Sequence, residues 1–178
     1  MRVKNRYLIV APCLLSLWAF SAQGAHSVQG WGRVKMQGAI IDTACAIAVE
    51  SREQTIDMDT VPLADIIRDG QGRSKPFSIK LVNCITERPG KEDWKQFQVT
   101  FDGEAEGKLF GVRGDASGVA LRITDATGNI AEPGIPLPMD NITPGSMTLN
   151  YAMTLIANSH VLKTGDYFSF VRFKLDYF

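Results

Sequence analysis

Short runs in which apolar and polar residues take turns one by one recur along this chain, and a period of two fits strands half-buried on a sheet. In Phe77-Ser-Ile-Lys-Leu-Val-Asn-Cys84, Phe77, Ile79 and Leu81 point one way and Ser78 and Lys80 the other. Phe97-Gln-Val-Thr-Phe101 repeats the pattern, and Asp102-Gly103 supplies a turn after it. Val119–Ile123 runs up to the turn signal Asp125-Ala-Thr-Gly128, Leu149–Leu155 alternates again, and Tyr167–Phe178 is rich in aromatic residues. Residues 31–41 and Thr55–Met58 add two more candidate strands. Gly70-Gln-Gly72 and Pro133-Gly-Ile-Pro-Leu-Pro138 are loops by composition, and Pro62–Arg68 is the one helix candidate, a turn or two long. Short strands with regular turns predict an all-β sandwich, and 178 residues suffice for one domain with a real core.

The start of the chain is different in kind. Arg2, Lys4 and Arg6 precede the apolar run Leu8–Phe20, and the small residues Ala22 and Gly24 follow. This is the layout of a secretory signal, with an apolar run too short to span a bilayer. Cleavage is expected after Gly24, so residues 1–24 read as a signal peptide and the remainder is mildly acidic. Cys13 lies inside the apolar run and lacks the small-residue setting of a lipid-modified cysteine. Over the whole chain 19 basic residues balance 19 acidic ones. Nucleic acids and membrane surfaces call for a basic excess, so neither is an expected partner.

Export leaves Cys45 and Cys84 as an even pair in an oxidising compartment, which reads as a disulfide. Metal binding is the rival reading, but two lone cysteines without nearby histidines make a poor site. Catalysis has little to work with. His26 and His160 are the only histidines, and Asn158-Ser-His160 reads as a polar turn. Asp57 and Asp59 flank Met58 as a solvated strand face would, and Gly70-Gln-Gly72 lacks the helix and further glycines of a phosphate loop. No enzyme, cofactor, metal or small-molecule substrate is expected.

Two segments carry the functional reading. Gly32, Val34, Met36, Gly38 and Ile40 lie on one face of an extended strand, with Arg33, Lys35 and Gln37 on the other. Nine residues at about 3.4 Å each reach roughly 30 Å, the length of a sandwich edge. Two glycines on the apolar face suit close passage beside another backbone, although a first core strand with two thin spots fits the alternation as well. Near the other end, Val171, Phe173, Leu175 and Tyr177 share one face, against Arg172, Lys174 and Asp176. The chain stops in mid-strand at Phe178, which predicts an unpaired edge, or simply a last core strand.

Taken together, the signal sequence, the glycine-containing alternating strand before Cys45, and Cys84 closing an alternating strand resemble the chaperone–usher pilins. So do Gly165, thirteen residues before the end, and the penultimate Tyr177. Gln54-Thr-Ile-Asp-Met58, Val99-Thr-Phe-Asp-Gly103, Asp125-Ala-Thr-Gly-Asn-Ile-Ala131 and Gly165-Asp-Tyr-Phe168 look most like the minor terminating subunit of P pili.

The resemblance implies an incomplete immunoglobulin-like β-sandwich lacking its last strand, so that a hydrophobic groove runs along the body. Residues 25–40 would then be an N-terminal extension and 41–178 the pilin domain. Gly32, Val34, Met36, Gly38 and Ile40 fall on the groove-facing positions of the family's donor strand. Val171, Phe173, Leu175 and Tyr177 match the edge on which chaperone and donor strand dock. Phe178 departs from the polar residue usual at the last position. The implied partners are a periplasmic chaperone, an outer-membrane usher and neighbouring pilin subunits, and the implied destination is the cell-surface pilus. Within that frame the role is a minor subunit, terminating and anchoring the fibre or lying in its shaft. A secreted carbohydrate-binding β-sandwich is the alternative from another class.

Overall fold

The computed structural model describes residues 30–178; the expected signal segment 1–24, Cys13 and His26 lie outside them. In chain order the strands are β1 (Ala46–Ile47), β2 (Lys75–Cys84), β3 (Gln96–Gly103), β4 (Ala105–Glu106), β5 (Leu109–Phe110), β6 (Arg113–Gly114), β7 (Val119–Asp125), β8 (Ile130–Ala131), β9 (Asp140–Asn141), β10 (Gly145–Ala157), β11 (Tyr167–Phe168) and β12 (Val171–Tyr177). Helices α1 (Val49–Arg52) and α2 (Leu63–Asp69) lie between β1 and β2.

The larger sheet runs β1-β2-β10-β7-β5-β4, with β8 also on β7, and the second runs β12-β3-β9. All pairings are antiparallel. The inward residues that alternation picks out meet between the two sheets. Ile79, Leu81, Ile123, Leu149 and Tyr151 come from one side and Phe97, Val99 and Phe101 from the other, all buried in one cluster. Phe101 stands edge-on to Tyr151 at 4.9 Å between ring centres and tilts against Phe173 at 6.3 Å. Each such side chain is worth roughly 1.5–3 kcal/mol over exposure, so this cluster supplies much of the drive to fold.

Strict alternation would turn position 83 inward and Cys84 outward. Instead the ladder slips: Met147 sits opposite Leu81 while Gly145 sits opposite Cys84. The extra residue in β2 makes a bulge, with Asn83 in the left-handed region at φ 52°, and Cys84 is turned into the core. There it is bonded to Cys45, 39 residues earlier in the chain. The bulge aims the cysteine.

Several sequence expectations are corrected. Thr55–Met58 does not form a strand. Ile56 and Met58 are half-buried and Thr55 and Asp57 exposed, as alternation requires, but the segment has no strand beside it to pair with. Asp102-Gly103 is not a turn, because β3 continues through Gly103, which lies opposite Val171. Tyr167–Phe178 is two strands, since the chain changes partner from β6 to β3 at Ser169, whose hydroxyl donates to the Gly111 carbonyl at 2.7 Å. The helix expected at Pro62–Arg68 is α2, capped by Gly70 at φ 70°. The four-residue α1 is too short to leave a period in the sequence.

Replacing both Cys45 and Cys84 by Ala is expected to cost about 4 kcal/mol on the chain-entropy account. The measurement is the urea midpoint, with any bound partner kept the same in both proteins; an unchanged midpoint would refute it.

Candidate functional site

On one side β12 is laddered to β3 over its whole length, from Val171–Gly103 to Tyr177–Phe97. On its other side no strand is paired to it among the described residues. A second stretch is in the same condition: residues 54–61 make no backbone–backbone hydrogen bond. Between residues 54–63 and the segment 162–171 that leads into β12 lies a trough of about 890 Å³. Gln54–Leu63 forms one wall and Leu162–Val171 the other, over an apolar floor that includes Val112, Val119, Leu121, Met153 and Leu155.

The walls are set by local chemistry. Gly165 holds φ 154°, and a Cβ there would lie 2.6 Å from the Asp115 Cβ and 2.7 Å from the Asp115 carbonyl carbon. Only glycine lets this turn press against residues 115 and 116, whose amides both donate to the Asp166 carbonyl. Opposite, Lys75 pairs with Asp59 at 3.2 Å and ties the 54–61 wall to the start of β2. At the far end of β12 the two sheets come together. The Tyr177 hydroxyl donates to the Cys45 carbonyl at 3.4 Å and its ring lies 6.0 Å from Trp94. The two sheets are tied together at Tyr177, and Val171, at the other end of β12, lines the trough.

Of the four edge residues named from the sequence, Val171 lines the trough, while Phe173, Leu175 and Tyr177 continue from it half-buried against the main core. Arg172 points outward to Asp102 and Lys174 to Asp176. The N-terminal residues present a different picture. Gly30–Ala39 belongs to a unit of its own and carries no regular secondary structure. Val34 and Met36 are each 90% exposed and Ile40 is fully so, while nothing approaches within 4 Å of where a Cβ would sit on Gly32 or Gly38. An apolar alternating face is therefore left in water. The body begins just after it, where Lys91 and Arg88 donate to the Asp42 carboxylate at 2.8 and 2.6 Å and hold its carboxyl below the usual carboxylate range. The Arg88 guanidinium also lies 3.7 Å over the Trp94 ring.

Sequence reasoning missed the 54–61 wall as part of the site, and missed Tyr167 and Met153. The alternation of Ile56 with Met58 was the available signal for the wall, and the run Tyr167, Ser169, Val171 in one register was the signal for Tyr167. His160 is exposed in a turn where its amide donates to the Asn158 side chain, and no group of three or more His, Cys, Asp or Glu that could hold a metal occurs among the described residues.

The chain resembles known proteins in sequence and in fold. The family described as "Fimbrial protein" matches residues 34–176. The chain is 34% identical to the PRS fimbrial minor pilin protein of Escherichia coli, over 86% of this chain and 81% of that one. It is 35% identical to the major MR/P fimbria protein of Proteus mirabilis (strain HI4320), over 97% and 98% of the two chains. The crystal structure of the P pilus rod subunit PapA has the same fold, with a TM-score of 0.67 at 20% identity, over 76% of this chain and 99% of that one.

Gly165→Ala is expected to destabilise the body by about 2–3 kcal/mol, because the clash is with backbone atoms that cannot swing aside. A urea midpoint equal to wild type, with the same partner bound, would show that the turn is not held as described.

Proposed function

The chain belongs to the fimbrial protein family, whose members are structural pilins, and from that premise we propose that it assembles into a chaperone–usher pilus by donor-strand exchange. Residues 25–40 form the extension that is lent to a neighbour, and residues 41–178 form the body. Gly32, Val34, Met36, Gly38 and Ile40 face into the neighbour's trough. Val171, Phe173, Leu175 and Tyr177 line the edge against which a chaperone strand, and later a subunit strand, is laid. The protein passes through the periplasm, where a chaperone shields the trough and an outer-membrane usher receives the complex, and ends in the cell-surface pilus.

The observation that carries this reading is the apolar trough between residues 54–61, which make no backbone–backbone hydrogen bond among the described residues, and the 162–171 segment that leads into the free edge of β12, in a chain whose Val34, Met36 and Ile40 are also exposed. A strand laid in the trough would hydrogen-bond to β12 along one side, as in recognition by strand addition. Its apolar face would cover the floor, and each buried Val, Met or Ile would contribute roughly 1.5–3 kcal/mol. Left open, such an edge over apolar surface invites aggregation.

Two roles within a fibre compete. Likeness to the PRS and PAP minor pilins favours a minor subunit, and a terminating or anchoring subunit would donate a strand but refuse one. The presence of the apolar trough favours a subunit that accepts a strand. A carbohydrate-binding sandwich, by contrast, would have its sheet complete.

The test offers a donor-strand peptide to the purified complex of the mature chain with its chaperone. Displacement of the chaperone and capture of the peptide are expected of an accepting subunit. Refusal of the peptide, together with incorporation of the chain at one end of a fibre, would make it a terminator. Val171→Glu, which puts a charge on the trough wall, is expected to weaken peptide capture at least about a hundredfold, since burying an unpaired carboxylate is costly. Equal capture by V171E would place the strand elsewhere.

A further inference from the structure

Phe168 and Phe170 line the trough, yet much of their surface is in water: Phe170 is 80% exposed and Phe168 51%. The two rings meet edge to face, 5.6 Å between centres. Ser169 holds them in place from between, its hydroxyl bonded to the Gly111 carbonyl at 2.7 Å. Ion pairs frame the rings, Arg113 with Glu104 at 2.6 Å and Arg172 with Asp102 at 3.1 Å, and a second depression of about 330 Å³ lies among the same residues. Aromatic rings at the centre with charged pairs at the rim make the anatomy of a protein-binding surface.

The length of a tether says what covers them. Resting on the strand-exchange reading above, we propose that the body of the donating subunit, a second copy of this chain, seats on the Phe168–Phe170 pair. At the Tyr177 end of β12 the second sheet is tied to Cys45, and Gly32, without a side chain, is the inward residue that fits there. Counted two by two along both strands, Val34 falls beside Leu175, Met36 beside Phe173, Gly38 beside Val171 and Ile40 beside Ser169, between the two rings. Two residues further on, Asp42 is bound by Arg88 and Lys91 of its own body. Two residues span about 7 Å, so the donor's body has to come down within that distance of the rings. It brings apolar surface with it. Ile41, next to Asp42, is exposed, and so is Ile85, whose amide donates to the Ala44 carbonyl at 2.8 Å. Different patches of the two copies meet, so the contact is head-to-tail and repeats along a fibre.

The experiment lets the mature chain, in its chaperone complex, join copy to copy and follows how fast the joined pairs separate in a fixed concentration of urea. A peptide of residues 30–40, which has the strand but no body, is run beside it. Phe170→Ser, at a side chain mostly in water, is expected to speed separation of joined copies about tenfold and to leave release of the peptide unchanged. Ile41→Ser should match it, and F170S with I41S together should do no more than either alone, because both remove one contact. If F170S does not assemble with the chaperone, I41S decides alone. Joined copies of the variants that separate as slowly as wild type, or a peptide released as much faster as the joined copies are, would overturn the seat and leave strand acceptance standing. So would wild-type copies that capture the peptide but never join one another. A wild-type complex that does not capture the peptide would overturn strand acceptance and the seat with it.

Discussion

Backbone amides and carbonyls buried against apolar surface must be paired, and in this chain the stretch 54–61 and the segment leading into the free edge of β12 flank a trough with no strand of the described residues between them. Most other features can be understood as consequences. The floor of the trough is the inner face of the larger sheet, continuous with a core that is otherwise closed by Phe97, Val99 and Phe101. Among the described residues the trough of about 890 Å³ opens beside this packed core.

The devices around the gap keep it from collapsing. The disulfide fixes the start of β1 to the end of β2, the bulge at Asn83 aims Cys84 to make that bond possible, and Tyr177 reaches the Cys45 carbonyl from the second sheet. The disulfide and the bulge act within the larger sheet, and the Tyr177 contact ties the second sheet to it at that end. At the other end Gly165 presses the 162–171 wall against residues 115 and 116, and α2 with its Gly70 cap ends the 54–61 wall. Under the strand-accepting proposal, a frame of this kind would let another polypeptide enter with little reorganisation, because the walls are ordered by folding of the body.

How much of this was legible in the sequence depended on which residues had a partner within the same chain. Strands β2, β3, β7, β10 and β12 were visible because each buries one face against residues of its own chain, which is what alternation records. Thr55–Met58 alternates too, yet it is no strand, and no strand among the described residues pairs with it. Asn83 shows the opposite failure. A local bulge reverses the phase for one residue, and no propensity of Val82-Asn83 announces it. The docking edge was foreseen at Val171 but not its counterpart, since a trough is a relation between segments more than a hundred residues apart. Resemblance to pilins supplied the idea of a missing strand, and packing supplied its walls.

The most direct check is sedimentation of the mature chain produced in cells that lack any pilus chaperone, followed by addition of a donor-strand peptide during refolding. An unfinished sandwich should aggregate when alone and stay folded and dispersed once the peptide is present. A folded, dispersed monomer with an empty trough would mean that the body is complete without its neighbour.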